Sequence, residues 1–495
     1  MRGVISKSDF QKFLVHAGHV REFTLSNDRD GPGNRFNIAP DTFVRLGQLQ
    51  NRHSPGPLFP ALTRLRLINP VESTMSQLPL FLTPSLRSLD FMNVPTNQHS
   101  ALLSFLITLV DEEPHLTTIT FSSVFTTACL EACLNFKFLR HLELKEVNIL
   151  IDFKLVIAIG ALPELETLVL DGRRSCWEDS ESKKPIKSMG FLCLKKFHIT
   201  GTLGLIRFLY KTVGSEVLKD LWLTLVRTAP LPRRTPTMKL SKTSAPSSSA
   251  ELDSTTRDFC NLIQEGLGRR TFKSIRLNQL LDYNDFDDWD FRPPSKPSDL
   301  PVTILDLLLE HTNLQHLEIV GWTLPETTFG PRILFRNTNT SNLKTIRLPV
   351  DSKASTISLI DLLYIAKSHP NLVFLQCGIK SLSNFTSPTL SVKMPSHGLK
   401  ILSVGTSTKA ADTGNQILFV ETWLEAVDAI DLKQKMSIAA FLDALFPNLE
   451  RIETQAGAGS KQWEDIYDLV KMCQTSRLIH ANRHSASSAA GDGKE

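Results

Sequence analysis

One six-residue pattern recurs along this chain and constrains its fold more than any other feature. The pattern places apolar residues at its first, fourth and sixth positions, as in Leu139, Leu142 and Leu144. Most copies start 23–30 residues after the previous one. The copies start at residues 20, 62, 86, 116, 139, 165, 194, 218, 272, 314, 343, 372, 399 and 449. This alternation predicts a short β-strand whose fourth and sixth side chains enter a core, while the third and fifth point away from it.

The repeated strands predict a solenoid. One short strand cannot bury its apolar edge alone, whereas stacked copies bury a continuous core to which each inward leucine contributes about 1.5–3 kcal/mol. Helical patterns often lie between the strands, at 254–268, 303–311, 355–368 and 441–446. A period in this range with this consensus is typical of leucine-rich repeats.

The predicted fold class is therefore α/β: a leucine-rich-repeat solenoid with irregular repeats, a curved parallel sheet on its concave face and helices on its convex face. The alternative is a doubly wound α/β domain, which also alternates strands with helices. That fold is disfavoured because the sequence shows neither long apolar strands nor a glycine-rich first turn.

The solenoid is predicted to extend over 20–476, after a lead-in helix within 1–19. Residues 227–256 are rich in Pro, Ser and Thr and are predicted to be a disordered insertion, because such a composition cannot bury enough surface to offset chain entropy. Residues 282–299 contain six aspartates and are predicted to be an acidic irregular loop. Residues 477–495 are predicted to be a disordered tail.

Composition excludes several classes of function. The net charge of +4 arises from 55 basic and 51 acidic residues, a balance that does not predict a nucleic-acid partner. Neither a secretory signal nor an apolar stretch of membrane-spanning length is found. The seven scattered cysteines indicate a reduced protein without a disulfide framework. We therefore expect a cytoplasmic or nuclear protein that binds no nucleic acid and no membrane.

No group of residues in the sequence points to a reaction. Cys129 and Cys133 are spaced to share a helix face, but no second Cys or His pair stands at zinc-site spacing, so buried thiols are the better interpretation. The GAGSK segment at 457–461 lacks the spacing of a phosphate-binding loop. We predict a protein that is not an enzyme and has no catalytic residue, cofactor or metal.

The outward residues of the repeats are the candidate binding residues, because they form a broad polar face with exposed aromatic side chains. Arginine and aromatic residues most often anchor protein interfaces. A solenoid's concave face is broad and shallow, which favours a protein or peptide ligand over a small molecule. For Trp222 the alternative is packing against a neighbouring loop. The candidate partner-binding residues are Arg64, Arg66, His141, Glu143, Trp222, Arg276, Glu318, Arg347 and Phe374.

Two terminal segments add a resemblance to a family. Residues 8–21 resemble the segment that follows the F-box in fungal F-box proteins with leucine-rich repeats, and residues 462–474 resemble the closing helix of those proteins. The irregular repeats between them are also similar. The resemblance implies a non-enzymatic protein-binding region like the substrate-recognition part of a ubiquitin-ligase adaptor.

The F-box itself is a helical module that begins with a Leu-Pro pair, and it is not found before Phe10. Cullin-type ligase components are therefore expected as partners only if an F-box lies upstream. The alternative function is that of a free-standing repeat scaffold or inhibitor, which binds a protein partner without any ligase.

Overall fold

The structure of the protein is a computed structural model, and its secondary structure falls into two compact units. The N-terminal unit comprises Met1–Ala229 with Leu281–Asn284, and the C-terminal unit comprises Pro230–Leu280 with Asp285–Glu495. Each unit has its own buried apolar residues and its own parallel strand pairs. The structure describes residues 5–26, 40–53, 56–112, 115–122, 125–146, 150–173, 176–177, 190–228, 248–267, 270–282, 298, 300–323, 342–350, 356–379, 382, 385, 397–404, 430–454 and 460–489.

In the N-terminal unit each predicted repeat strand pairs in parallel with the strand of the next repeat. These strands are β1 (Glu22–Ser26), β2 (Arg64–Ile68), β3 (Ser88–Met92), β4 (Thr118–Ser122), β5 (His141–Lys145), β7 (Thr167–Asp171), β9 (Lys196–Gly201) and β10 (Asp220–Thr228). Two short strands, β6 (Leu150–Ile151) and β8 (Cys176–Trp177), pair separately. The helices are α1 (Lys7–Ala17), α2 (Pro40–His53), α3 (Glu72–Met75), α4 (His99–Asp111), α5 (Thr127–Cys133), α6 (Phe153–Gly160) and α7 (Leu203–Thr212).

The C-terminal unit repeats the arrangement of strand, connection and helix, again with parallel pairing. Its repeat strands are β11 (Ser274–Asp282, whose last two residues belong to the N-terminal unit), β12 (His316–Val320), β13 (Thr345–Arg347), β15 (Phe374–Ile379), β16 (Ile401–Val404) and β17 (Arg451–Thr454). A two-residue strand, β14 (Thr356–Ile357), pairs with the end of β15. The helices are α8 (Ser248–Leu267), α9 (Val302–Leu309), α10 (Asp361–Ser368), α11 (Leu432–Leu445) and α12 (Ser460–Ala489).

The strand register aligns each repeat with the next without any offset. Leu65 lies opposite Leu89, and Leu142 lies opposite Leu168. These leucines are fully buried. The predicted strands, their inward positions and the leucine-rich-repeat fold class are therefore confirmed.

Backbone hydrogen bonds at the start of each strand fix this register. The carbonyl oxygen of Thr63, the second residue of its repeat, accepts from the amides of Arg87 and Ser88 at 2.8 and 3.0 Å. The second-position carbonyl of Arg140 accepts in the same way from Glu166 and Thr167. A shift of one residue would break both bonds and turn the apolar side chains outward, so the register is strongly specified.

The residue that follows each strand often needs an unusual backbone conformation. Asn69 and Asn93 have φ of 47° and 52°, and Gly321 has φ of 71°. All three occupy the eighth position of their repeat, where the chain turns out of the strand. Asn and Gly tolerate this left-handed region better than other residues. At Gly321 a Cβ atom would also lie 2.1 Å from the carbonyl oxygen of Gln279, so only glycine fits there.

Side-chain caps fix where several helices begin. Asp152 accepts from the amide of Leu155 at 2.8 Å, and Asp431 accepts from that of Gln434 at 2.7 Å. At α1 the Ser6 hydroxyl accepts from the Asp9 amide, and the Asp9 carboxylate accepts from the Ser6 amide. These caps satisfy amides that have no partner within the first helical turn.

Segment boundaries differ from the sequence-based expectations at several places. Strand β10 continues to Thr228, two residues into the insertion expected to be disordered. Helix α8 starts at Ser248, inside the insertion expected to be disordered, and α12 continues to Ala489, inside the expected tail. Once buried residues such as Phe259 and Val470 dock a helix, extending it by another turn costs little. The pattern at 355–368 is helical only in Asp361–Ser368. Residues 229–247 of the insertion and 283–297 of the acidic loop lie outside the described residues.

Candidate protein-binding face

In each unit the outward face of the repeat strands consists of the third, fifth and seventh side chains of the repeats, opposite the buried fourth and sixth. Because the register has no offset, fifth residues of successive repeats lie side by side, about 4.8 Å apart. In the N-terminal unit this row is Thr24, Arg66, Asp90, Thr120, Glu143, Val169, His198 and Trp222. In the C-terminal unit it is Arg276, Glu318, Arg347, Gln376, Ser403 and Glu453.

Two of the predicted residues, Arg64 and Arg66, converge on one carboxylate of the next strand. The Nε atom of Arg66 lies 2.7 Å from Oδ2 of Asp90, and Nη2 of Arg64 lies 4.0 Å from the same oxygen. The Asp90 side chain is only 10 % exposed, whereas both arginines are partly open to solvent. The carboxylate therefore holds the two guanidinium groups in place on the face.

A second cluster surrounds Glu143 on β5. The Nε2 atom of His141 lies 3.7 Å from Oε2 of Glu143, and Nζ of Lys145 lies 2.9 Å from Oε1. His141 first, and then Lys145, lower the pKa of Glu143 to about 2 against the opposing effect of burial. At 3.7 Å the His141 contact is longer than a hydrogen bond, so the Lys145 ion pair is the better defined of the two contacts. Glu143 is a fixed negative charge at neutral pH.

Trp222 lies on β10, and its half-buried indole ring contacts other side chains of the same outward face. Its Nε1 donates to Oγ1 of Thr224 at 3.1 Å, and its ring centroid lies 5.0 Å from that of His198 on the neighbouring strand. These contacts hold the indole in one orientation.

The remaining predicted residues come together in the C-terminal unit. Glu318 lies between two arginines of adjacent strands, with its Oε1 atom 3.1 Å from Nη2 of Arg276 and 3.5 Å from Nη1 of Arg347. The guanidinium of Arg347 also lies over the ring of Phe374, 5.0 Å from its centroid. The cluster combines an ion-pair network with a cation–π contact.

The nine predicted residues thus form four clusters, and their role in binding stays a prediction. Several charged neighbours were missed as candidates. Asp90 anchors Arg66, Lys145 pairs with Glu143, and Asp171 accepts from Arg173 at 2.7–3.0 Å. Asp90 could have been found from the repeat alignment alone, because it follows Arg66 in the fifth-position row.

Two features of the described residues bear on metal binding and thiol chemistry. Within these residues no group of three or more His, Cys, Asp or Glu side chains could hold a metal ion. Cys129 and Cys133 are buried, and burial together with the neighbouring Cys129 raises the pKa of the Cys133 thiol well above its usual value. Across the described helices, none combines the length and the apolar character needed to span a membrane.

Comparisons with known proteins find similarity at the level of three-dimensional structure only. No protein-family model matches the chain, and no curated protein matches it in sequence. An internalin from Listeria monocytogenes is similar with 11 % identity and a TM-score of 0.33, over 75 % of this chain and 86 % of the internalin. A chain of the yeast Rad7–Elc1 complex is similar with 14 % identity and a TM-score of 0.36, over 80 % of this chain and 79 % of that one. Likeness at this level does not transfer function.

Proposed function

We propose that this chain is a non-enzymatic protein-binding repeat protein that holds a segment of a partner protein on its outward face. The observation that carries the proposal is the set of outward charged side chains held in place by ion pairs within and between strands, with the aromatic residues Trp222 and Phe374 among them. Side chains that are already ordered lose little entropy on binding. Arginine and aromatic residues are also the commonest anchors of protein interfaces.

The dimensions of the face favour a macromolecular ligand. The fifth-position row of the N-terminal unit crosses eight strands that are adjacent in the sheet: β1, β2, β3, β4, β5, β7, β9 and β10. At about 4.8 Å per strand the row extends for roughly 30 Å, far longer than a small metabolite. Small-molecule sites are instead concave and mostly apolar. A polar row of this length suits a polypeptide segment.

The finer proposal is that the partner is a substrate delivered to a ubiquitin ligase. It is supported by the resemblance of residues 8–21 and 462–474 to segments of fungal F-box proteins, and by the helices α1 and α12 in these places. The second candidate is a free-standing scaffold or inhibitor, which needs the same face and no ligase. The two candidate functions differ only in whether ubiquitin-ligase components join the complex of the chain and its partner.

Site-specific photocross-linking tests the proposed face. Thr120 occupies the fifth position of β4, and Ser104 is exposed on α4, so the two provide a matched pair. Each is replaced by the photoreactive residue p-benzoylphenylalanine in the full chain, which is then irradiated in a cell extract. We expect a discrete cross-linked partner from position 120 and none from position 104. Equal cross-linking from both positions, or from position 104 alone, would refute the proposed face.

The composition of the captured complex separates the two finer candidates. Cullin-type ligase components that co-purify with the cross-linked partner would support the adaptor. A partner captured without them would support the scaffold or inhibitor. The substitution of Trp222 by Ala should reduce the capture from position 120 in either case, because the ring belongs to the same face.

A further inference from the structure

The first strand of the N-terminal unit, β1, has one side without a described partner strand. β1 pairs with β2 alone and ends the order of strands in the sheet. In every later repeat of this unit, the amide of the third residue donates to the second-position carbonyl of the preceding repeat, as Arg64 does to Arg21 at 3.0 Å. Glu22 is the third residue of the first repeat, so its amide faces the open side of β1.

Four backbone groups point out of this open edge. Neighbouring residues of a parallel strand direct their amides and carbonyls to opposite sides. The amides and carbonyls of Glu22 and Thr24 therefore face the edge, while those of Phe23 face β2. Glu22 and Thr24 are both exposed. Two donors and two acceptors in a row form a template on which a further strand can pair.

The last strand of the C-terminal unit shows how the chain closes an edge. The carbonyl of Glu450, at the second position of the last repeat, accepts from the Tyr467 hydroxyl at 2.5 Å. The neighbouring carbonyl of Leu449 accepts from Nζ of Lys471 at 3.0 Å. Both donors belong to α12, which packs along β17. Side chains of a helix thus take the place that the amides of a following repeat would occupy, whereas no described side chain bonds to the open edge of β1.

Helix α1 closes the apolar core next to β1 and leaves the strand edge open. Phe10 is fully buried, and the ring of Phe13 packs against that of Phe59 with centroids 6.1 Å apart. α1 is described in full, and Val15 is the one apolar residue among its exposed side chains. The site is thus confined to a strand of five residues. Such an edge offers much less than the roughly 800 Å² per partner of a standard interface, so a short extended segment fits it better than a second copy of this chain.

The charge at the edge specifies one residue of such a segment. Arg21, the second residue of its repeat, is exposed and forms no ion pair with any described residue. Elsewhere in this unit, Lys195 at the second position pairs with Glu166 at the second position of the adjacent repeat, at 2.8 Å. Arg21 therefore matches an acidic residue at the second position of an added strand. Glu22 beside it disfavours a second acid at the third position, because like charges directly opposite each other are destabilising.

We propose that the open edge of β1 binds an extended segment of a partner protein as an added parallel strand. The segment has an acidic residue opposite Arg21 and apolar residues two and four positions later, opposite Phe23 and Leu25. These two β1 residues are only half-buried, whereas the equivalent Leu65 and Leu67 are fully buried, so the added apolar side chains would cover them. This edge is a second site, which goes beyond the proposed binding of a partner on the outward face.

Peptide selection against the purified full chain tests the proposed edge. Random linear peptides are selected on the wild type and counter-selected on Thr24→Pro. Proline removes an amide that faces the open edge and that pairing with β2 does not use. We expect enrichment of Asp or Glu followed by apolar residues at the second and fourth positions after it. Thr24→Ala keeps the amide and should retain the selected peptides.

Backbone methylation of the best peptide tests the parallel register, with affinities measured by fluorescence anisotropy. The amide of the first apolar residue would donate to the Glu22 carbonyl, whereas the amide of the next residue would point away from β1. N-methylation of the first of these amides should weaken binding more than about tenfold, since it removes a hydrogen bond and places a methyl group between the strands. N-methylation of the second is the matched control and should change the affinity less than about twofold, because that amide stays in water.

A charge exchange tests the contact with Arg21. Arg21→Glu should weaken the acidic peptide about threefold, and a peptide with Lys at the acidic position should regain the loss, as expected for an exposed ion pair. Thermal melting checks that each variant is folded.

The inference is overturned if no peptide survives the counter-selection, or if the two methylated peptides bind equally well. An affinity that Arg21→Glu leaves unchanged would refute the acidic residue of the segment. If Thr24→Pro does not fold, the methylated forms of a peptide selected on the wild type alone decide the question. Capture of a partner from position 120 does not depend on this edge, so the inference and the proposed function can fail separately.

Discussion

Replacing Leu142 by Ala should remove a large part of the stability of the N-terminal unit. Leu142 is fully buried at the fourth position of β5, between Ile119 of β4 and Leu168 of β7, which are also fully buried. Backbone hydrogen bonds hold the three strands in register, so the site cannot collapse around the missing atoms. We therefore expect a loss of about 3–4 kcal/mol in the free energy of unfolding, within the range of about 2–5 kcal/mol for such changes.

Urea denaturation followed by circular dichroism measures this loss, with Leu192→Ala as the matched control. Leu192 is 65 % exposed, so its truncation should change the free energy of unfolding by less than about 0.5 kcal/mol. A loss of 3–4 kcal/mol is a large share of the about 5–15 kcal/mol that stabilises a typical domain. If Leu142→Ala cost no more than Leu192→Ala, the assignment of the fourth position to the core would be wrong.

Three further changes probe the strand exits and the charged face. Gly321→Ala should lower the free energy of unfolding by about 1–3 kcal/mol in urea titrations, because φ is 71° and the added Cβ would meet the Gln279 carbonyl. Conversely, Glu146→Gly should raise it by about 0.5–1 kcal/mol, since Glu146 is exposed and has φ of 52°. The folded-state pKa of Glu143, about 2, lies below its ordinary value of 4.5. Its contribution to stability is therefore present above pH 4.5 and lost as the pH falls toward 2, and melting temperatures of Glu143→Gln should fall less over that interval. A steeper decline in that variant would contradict the role of the Glu143 ion pair.

The strands could be predicted because burial imposes a two-residue alternation that survives irregular spacing. Leu65, Leu142 and Leu317 each occupy the fourth position of a copy, and each is at most 1 % exposed. The repeat alignment also predicts which residues lie side by side on adjacent strands, since the register has no offset. Reading the fifth positions in order places Arg66 beside Asp90, and Glu318 between Arg276 and Arg347.

Other contacts could not be predicted, because they depend on side-chain direction or on packing of distant segments. The diagonal approach of Arg64 to Asp90 and the stacking of Arg347 on Phe374 require particular rotamers. The ends of the helices could also not be predicted from the sequence. Ser- and Ala-rich sequence predicts disorder near Ser248 and Ala489, yet both segments continue helices that are anchored elsewhere by buried apolar residues.

Cysteine labelling along β5 tests most directly whether alternate residues of a strand face a bound partner. Single cysteines are placed at each position of His141–Lys145 in a background with Cys176, Cys193 and Cys473 replaced by Ser. Thiol-labelling rates are then measured with and without a partner captured by the outward face. We predict rapid labelling at positions 141, 143 and 145 that the partner slows, and negligible labelling at the buried positions 142 and 144 in either state. Labelling at position 142 as fast as at 143 would contradict the assignment of the fourth position to the core. Rates at 141, 143 and 145 that the partner leaves unchanged would contradict the proposed binding face.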